Sequence, residues 1–365
     1  MALFTPTSPG YRPLPAMDTQ EALPSPLLHA LKALNPALQL DHFRNESMAV
    51  STNRVYRLAF TDGQELFAKL SSYGSYVHFR EDHQLIHQWY THLEHTPYER
   101  FLAAVATKNG LPFTYRHRDE WVAFYQKVPS YDFLPKRLSP DQIDALGREL
   151  ALFHQESARI AAYMDGSWKS MGSDVARLFD LLQTPDFLAK HDLDEAGGDA
   201  LGHQCDRFLE RAGALGYHRM QRVPVLVDWN TSNFSVGLDR TGFKLFSRWD
   251  YDWFRLEPRV LDFYFCARVV RDEGDRTVFT YNADPFFEPR FLRFLKAYHQ
   301  VFPLSEQDVL FIPEAYRFFL LNYVVRVGDH FFRPEIRQRL LQEVVDFHLP
   351  RIDTLDVRPL LQAIK

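Results

Sequence analysis

The chain has 365 residues, a formal net charge of −5 and a pI near 6.3, so its bulk electrostatics draw it to neither nucleic acid nor an anionic membrane. Hydrophobic residues make up 46% and charged ones 24%, which excludes a disordered chain, and no window approaches the roughly 20 apolar residues of a membrane helix. The opening MALFTPTSPGYRPLP does not read as a secretory signal, and Cys205 and Cys266 form no close pair, which suits a reduced cytoplasm and offers no zinc site.

Residues 1–25 are proline-rich without periodicity and read as a tail. Pro26 to Leu38 reads as a short helix with Leu27, Leu28, Leu31 and Leu34 on one face. AVSTNRVYRLAF and ELFAKL flank TDGQ, which predicts a hairpin around an Asp-Gly turn. SYVHFREDHQLIHQWYTHL is helical in pattern, with Phe79, Leu85, Ile86, Trp89 and Leu93 on one side. FLAAVATKNGLPFTYRHRDEWVAFYQKV adds two or three strands. Residues 41–128 therefore predict a small antiparallel β lobe with one helix.

Beyond Val128 the texture changes. Ser139 followed by Pro140 starts a strong helix whose apolar stripe is Ile143, Leu146, Leu150 and Phe153. Gly197-Gly198 marks a loop. VPVLVDW reads as a short buried strand, NFSVGLDRTGFKLFSRWDYD as a hairpin, and the remainder as helices, one capped at Ser305. The fold class expected is α+β: residues 1–40 a tail and short helix, 41–128 a β-rich small lobe, and 129–365 a mainly helical lobe with an embedded hairpin.

Asp228 ends an apolar strand, Asn233 follows five positions later, and the hairpin returns the chain to Asp250. Phosphoryl transfer needs such a set: a carboxylate to accept a hydroxyl proton, and an Asn and an Asp to hold magnesium. Strand ends are also where Asp and Asn occur as turn residues, so the neighbouring segments decide. VLVDWNTSNFSV resembles the H-G-D-x-x-x-x-N loop of the aminoglycoside phosphotransferase and choline kinase group. LFSRWDYDWFRLEPRVLDFYF is similar to that group's I-D-F-[DE]-x-A…G-P-x-x-x-D-L-A segment, LGRELALFHQ to its L-G-x-x-L-A-x-L-H helix, and STNRVYRLAF with FAKL to its nucleotide-loop strands. The resemblance runs from about Asn45 to about Arg268.

That resemblance implies a protein-kinase-like two-lobe fold, ATP and magnesium as cofactors, and a hydroxyl of a small molecule as acceptor. It implies Asp228 as catalytic base, and Asn233 and Asp250 as magnesium ligands. Lys69 would contact the nucleotide phosphates, with Glu81, or its competitor Asp82, as its ion-pair partner. Ser51, Thr52 and Asn53 would cover the phosphates, and Gln126 to Val128 would form the hinge that meets the base. Two departures stand out: Leu226-Val227 replaces the family's His-Gly, and no glycine lies between Met48 and Phe60. These departures keep a catalytically silent nucleotide-binding module as an alternative; a nucleotidyl transferase on the same fold is a further one that nothing in the sequence excludes or calls for.

Around this set, Asp252, Trp229, Asn230, Trp253 and Arg255 are candidates for the acceptor site, where an aromatic and cationic pocket suits an acidic or sugar-like molecule. Trp packing in the core and a solvated Asp252 are the competing expectations. Asp262 is expected to hydrogen-bond the catalytic-loop backbone and His154 to be a packing histidine. The 15 histidines form no metal-ligating motif. The acceptor-binding helices are expected within residues 160–215 and 290–335.

Overall fold

The computed structural model describes residues 22–47, 53–129, 132–239, 242–272 and 280–365. The expected N-terminal tail up to Glu21, and Ser51 and Thr52 of the phosphate-covering loop, lie outside the described residues.

Helix α1 (Ser25–Leu34) ends where Asn35 precedes Pro36, a residue pair that leaves the α region; Asn35 is extended, with φ −152° and ψ 109°. Leu27, Ala30 and Leu31 are its buried face, whereas Leu28 is exposed. The expected apolar stripe was thus wrong at Leu28, one residue being enough to turn a side chain off the face.

A five-stranded antiparallel sheet follows, in the order β1 (Leu40–Asn45), β2 (Arg54–Phe60), β3 (Glu65–Ser71), β7 (Glu120–Gln126) and β6 (Thr114–His117). The short ribbon of β4 (Thr107–Lys108) and β5 (Leu111–Pro112) stands beside it. Strand side chains alternate between faces. Tyr56, Leu58, Leu66, Ala68, Leu70, Val122 and Phe124 pack with α1 in one core. Lys69, between Ala68 and Leu70, consequently faces the other way. Helix α2 (Tyr76–His92) starts at Ser75, whose hydroxyl caps it by accepting from the His78 N–H at 3.2 Å. It buries Phe79, Leu85, Ile86 and Trp89 as the pattern predicted.

Residues 127–129 lead away from the sheet to α3 (Pro140–Ala161). Ser139 and Gln142 form a complete capping box there. Gly147 lets α3 close on α8 (Pro289–Val301): a Cβ at that position would lie 2.7 Å from the Phe294 carbonyl oxygen. Helices α4 (Met171–Leu182), α5 (Pro185–Lys190) and α6 (Glu195–Ala214) come next. Gly197-Gly198 is not the expected loop but the first turn of α6. Asp194 caps that turn by accepting from the Gly197 N–H at 2.7 Å, and Gly198 admits the Leu188 side chain.

Two small antiparallel pairs carry the central residues: β8 (Val223–Val225) with β11 (Arg255–Glu257), and β9 (Phe234–Asp239) with β10 (Gly242–Arg248). Helices α7 (Phe263–Val270), α8 and α9 (Glu306–Phe319) follow, α9 starting at the Ser305 capping box and running on as a π-helical stretch, Leu320–Arg326, and α10 (Pro334–Glu343), α11 (Leu349–Ile352) and α12 (Arg358–Ala363) complete the helical part. No helix among the described residues is long and apolar enough to cross a membrane.

Candidate active site

Pairing decides which residues meet. Arg248 pairs with Phe234 across the hairpin, and Arg255 pairs with Val225. The loops between these strands, 226–233 and 249–254, are therefore held side by side. The Trp249 N–H donates to the Asn233 carbonyl at 3.1 Å, and the Asn233 amide donates to the Asp228 carbonyl at 3.4 Å. Asp228 Oδ1 accepts from the Asn230 N–H at 3.2 Å, and the Asn233 N–H returns to the Asn230 carbonyl at 2.9 Å. Asn230 is thus a turn residue that shapes the loop.

Arg248, which sequence reasoning missed, joins the two loops. Its fully buried guanidinium donates from Nη2 to the Asp228 carbonyl at 2.8 Å and to the Asp250 carbonyl at 3.0 Å, and lies 5.7 Å from the Trp229 ring centre. A basic residue at a strand end reads as solvated, and only the register of the hairpin turns it inward.

Asp262 anchors the loop from below. Its Oδ1 accepts from the Leu226 N–H at 3.1 Å and the Val227 N–H at 2.6 Å, while Oδ2 meets His154 Nε2 at 3.0 Å. His154 Nδ1 meets the Tyr298 hydroxyl at 2.8 Å. All of this is buried, so each bond offsets a desolvation cost. Val227, which stands at the family's glycine, has φ 62°, and Asp250 has φ 67°. A β-branched residue at positive φ costs on the order of 1–3 kcal/mol and persists where its surroundings hold it; here Asp262 does so.

Lys69 reaches across from β3 to both acids of the opposite loop: its Nζ is 3.0 Å from Asp250 Oδ1 and also contacts Asp252 Oδ1. Asn53 donates to Asp252 Oδ2 at 2.7 Å. Burial opposes the Lys69 charge, but the two carboxylates outweigh it and raise the ammonium above its ordinary value. Burial likewise disfavours ionised Asp250, yet Lys69 and Arg248 hold its carboxyl below the usual range. Asp252 is pushed up to about 6 by burial and by Asp250, against Lys69. Burial, opposed by Arg248 and helped by Asp250, pushes Asp228 up to about 6.

Several expected placements are corrected. Glu81 does not pair with Lys69; its Oε1 accepts from the Trp168 N–H at 2.8 Å. Asp82 does not either, because Lys169 takes it at 2.5 Å. The reason is competition: Asp250 and Asp252 lie nearer the β3 face. Trp229 is buried against Phe101, Phe153 and Phe234, and Trp253 against Phe319, Tyr323 and Phe331. Both are core residues in an aromatic-rich chain rather than pocket walls. Arg255 is buried in an ion pair with Asp174 at 2.5 Å. Asp252 is not a solvated carboxylate but is tied to Lys69 and Asn53. The Gln126 N–H already donates to the Ala104 carbonyl at 2.8 Å, and Val128 is half-buried against the helical core.

Among the described residues no three His, Cys, Asp or Glu side chains gather as a metal site. The oxygens that do gather are the Asp250 and Asp252 carboxylates, with the Asn233 amide tied to the neighbouring loop. An all-oxygen set that draws a lysine ammonium into its middle suits a hard cation such as magnesium, which keeps several waters and needs few protein ligands.

A small antiparallel sheet with a helix, joined to a helical part that carries these two loops, is a protein-kinase-like two-lobe fold. The chain is similar to an amicoumacin kinase solved with AMP-PNP, Ca2+ and Ami, at TM-score 0.58 and 15% identity over 92% of this chain and 96% of that one. It is similar to a microcompartment-associated aminopropanol kinase, at TM-score 0.56 and 15% identity over 93% and 99%. It is also similar to a Plasmodium vivax ethanolamine kinase, at TM-score 0.53 and 12% identity over 86% and 83%. No family model matches the sequence, and no curated protein sequence matches it.

Proposed function

We propose that this protein is a phosphotransferase that moves the γ-phosphoryl group of ATP to a hydroxyl of a small molecule, with magnesium. The observation that carries this reading is the locking of Asp228 and Asp250 to one another through Arg248, opposite Lys69, in a kinase fold. Residues 41–128 then form the nucleotide lobe and 129–365 the lobe that carries catalysis and the acceptor.

In this reading Asp228 takes the acceptor proton as the new O–P bond forms and the bond to the ADP oxygen breaks. A carboxyl poised near 6 is ionised at neutral pH and still basic enough to take that proton, which is worth about 10²–10⁴-fold in rate. Lys69 is the point cation for the phosphates. Asp250, with Asn233 and Asp252, would hold magnesium, which would supply positive charge against the phosphates. The Lys127–Val128 backbone takes over the base-binding role that the Gln126 N–H cannot fill.

One observation favours a second reading, a silent nucleotide-binding module: Lys69 lies between two aspartates instead of pairing with Glu81. Titration of the chain with ATP, with and without magnesium, followed by assay of labelled phosphate transfer to hydroxylated acceptors, tests the proposal. A phosphorylated product supports it. Tight magnesium-dependent binding without any product supports the silent module.

A further inference from the structure

Asp252 belongs to two places at once. It faces Lys69, and it also lines a cavity of about 400 Å³ that runs beneath the start of α2 into α4, α5 and the end of the π-helical stretch. That volume is within the range of small-molecule sites.

The charges in its walls are already matched. Asp82 pairs with Lys169 at 2.5 Å; Asp174 takes Arg255 at 2.5 Å and Arg326 at 2.9 Å; Asp329 pairs with Lys190 at 2.6 Å. With Asp252 on Lys69, every carboxylate of the wall faces a cation. An ammonium group on a ligand would have to compete with one of these cations, and at the buried pairs of Asp82, Asp174 and Asp252 separation is costly. Arg177 of α4 is the exception among the cations. It lines the cavity, is exposed, and has no ion-pair partner among the described residues.

His191 supplies the second observation. Its ring lines the same cavity, is 3% exposed and stacks on Phe187 at 4.0 Å, yet neither ring nitrogen has a hydrogen-bond partner. Burial holds it down to about 4, so at neutral pH it is uncharged and offers one donor and one acceptor. A buried polar group left unpaired is costly, and a ligand hydroxyl would satisfy it. The π-helical turn that sets Arg326 and Val327 into the wall is a distortion that often marks functional sites.

The geometry points to this cavity as a binding site for a compact polyhydroxylated molecule with a single acidic group, the acid at Arg177 and a hydroxyl at His191. The ligand class follows from the walls alone, independently of the phosphotransferase reading.

Three probes with one carbon skeleton test it: gluconate, sorbitol and glucamine, which are acidic, neutral and basic. Each is titrated calorimetrically into the full chain, once with magnesium and AMP-PNP and once without. Gluconate is expected to bind about tenfold more tightly than glucamine, the value of one charge-assisted hydrogen bond. Arg177→Gln, at an exposed position, should erase that preference. His191→Phe should weaken gluconate and sorbitol alike. Failure of gluconate to bind, an equal or tighter glucamine, or an unchanged preference in Arg177→Gln overturns the inference. Failure of AMP-PNP to bind counts instead against the phosphotransferase reading, while the nucleotide-free titrations still decide the pocket.

Discussion

The Arg248 guanidinium donates to the backbone carbonyl of Asp228 at 2.8 Å and, through the same nitrogen, to that of Asp250 at 3.0 Å. One buried cation thus sets the spacing between the proposed base and the proposed metal ligand, and its charge lowers the pKa of both carboxyls. Where the family's histidine would support this loop the chain has Leu226, so Arg248 and Asp262 do the holding.

Arg248→Met keeps the bulk and removes both bonds. It should lower stability by about 3 kcal/mol, the sum of two bonds from a charged donor, and raise the magnesium concentration needed for nucleotide binding. Arg248→Lys should recover the charge but not the two-carbonyl bridge. Denaturant unfolding and a magnesium titration of nucleotide affinity measure the two effects; an unaltered magnesium requirement in Arg248→Met would remove Arg248 from the site.

Asp262 accepts two loop N–H groups and contacts His154. Asp262→Ala leaves those buried groups unpaired and should cost about 3 kcal/mol or more. Asp262→Asn should cost far less. Its amide oxygen still accepts from Leu226 and Val227, and His154 can change tautomer because the Tyr298 hydroxyl donates or accepts. Urea unfolding of the two variants checks the ordering.

Lys69 is expected to exchange its present partners for phosphate when nucleotide and magnesium enter. Lys69→Ala should weaken ATP binding by at least about tenfold, a loss of roughly 1.4 kcal/mol or more for a phosphate contact. The Glu81→Gln change should leave binding nearly unaltered, since Glu81 serves the Trp168 N–H instead. A fluorescence or calorimetric titration distinguishes the two; a Glu81→Gln defect equal to that of Lys69→Ala would restore the pairing expected from the resemblance.

Asp228 gives a pH signature with a defined sign. Its folded pKa is pushed up to about 6, above the ordinary Asp value of about 3.9. The folded state therefore binds this proton more tightly, and the stability it contributes is present below about pH 4 and lost as pH rises through about 6. Buried His83 and His191, held down to about 3 and about 4, titrate with the opposite sign. The Asp228 part is isolated by comparison with Asp228→Asn: between pH 4 and 6 the wild type should lose about 2 kcal/mol relative to the variant. Turnover should rise over the same interval as the base ionises. Paired denaturation curves that run parallel across this range would contradict the shift.

Much of this was legible in the sequence because it rests on local rules. The Ser139 and Ser305 caps, the α2 stripe, the hairpin between Asn233 and Asp250, and the Asp262 contact to the loop all follow from spacing, turn chemistry or motif. What stayed hidden depends on long-range choice. Lys69 had four carboxylates to choose from, and only the tertiary packing sends Glu81 to Trp168 and Asp82 to Lys169. Trp229 and Trp253 lie beside the central residues in sequence, yet the folding of their loops turns them into the core. Gly197-Gly198 looked like a loop because two glycines are poor helix formers; the Asp194 cap and the Leu188 contact outweigh that preference.

The most direct test is transfer of label from γ-labelled ATP to a library of hydroxylated small molecules, run on the wild-type chain and on Asp228→Asn, with magnesium-ATP affinity measured on both. The account predicts a labelled product whose formation falls by about 10²–10⁴-fold in the variant, while affinity stays nearly the same because Asn233, Asp250 and Lys69 are untouched. ATP bound with no product from any acceptor, or product labelled from α-labelled ATP but not from γ-labelled ATP, would contradict it.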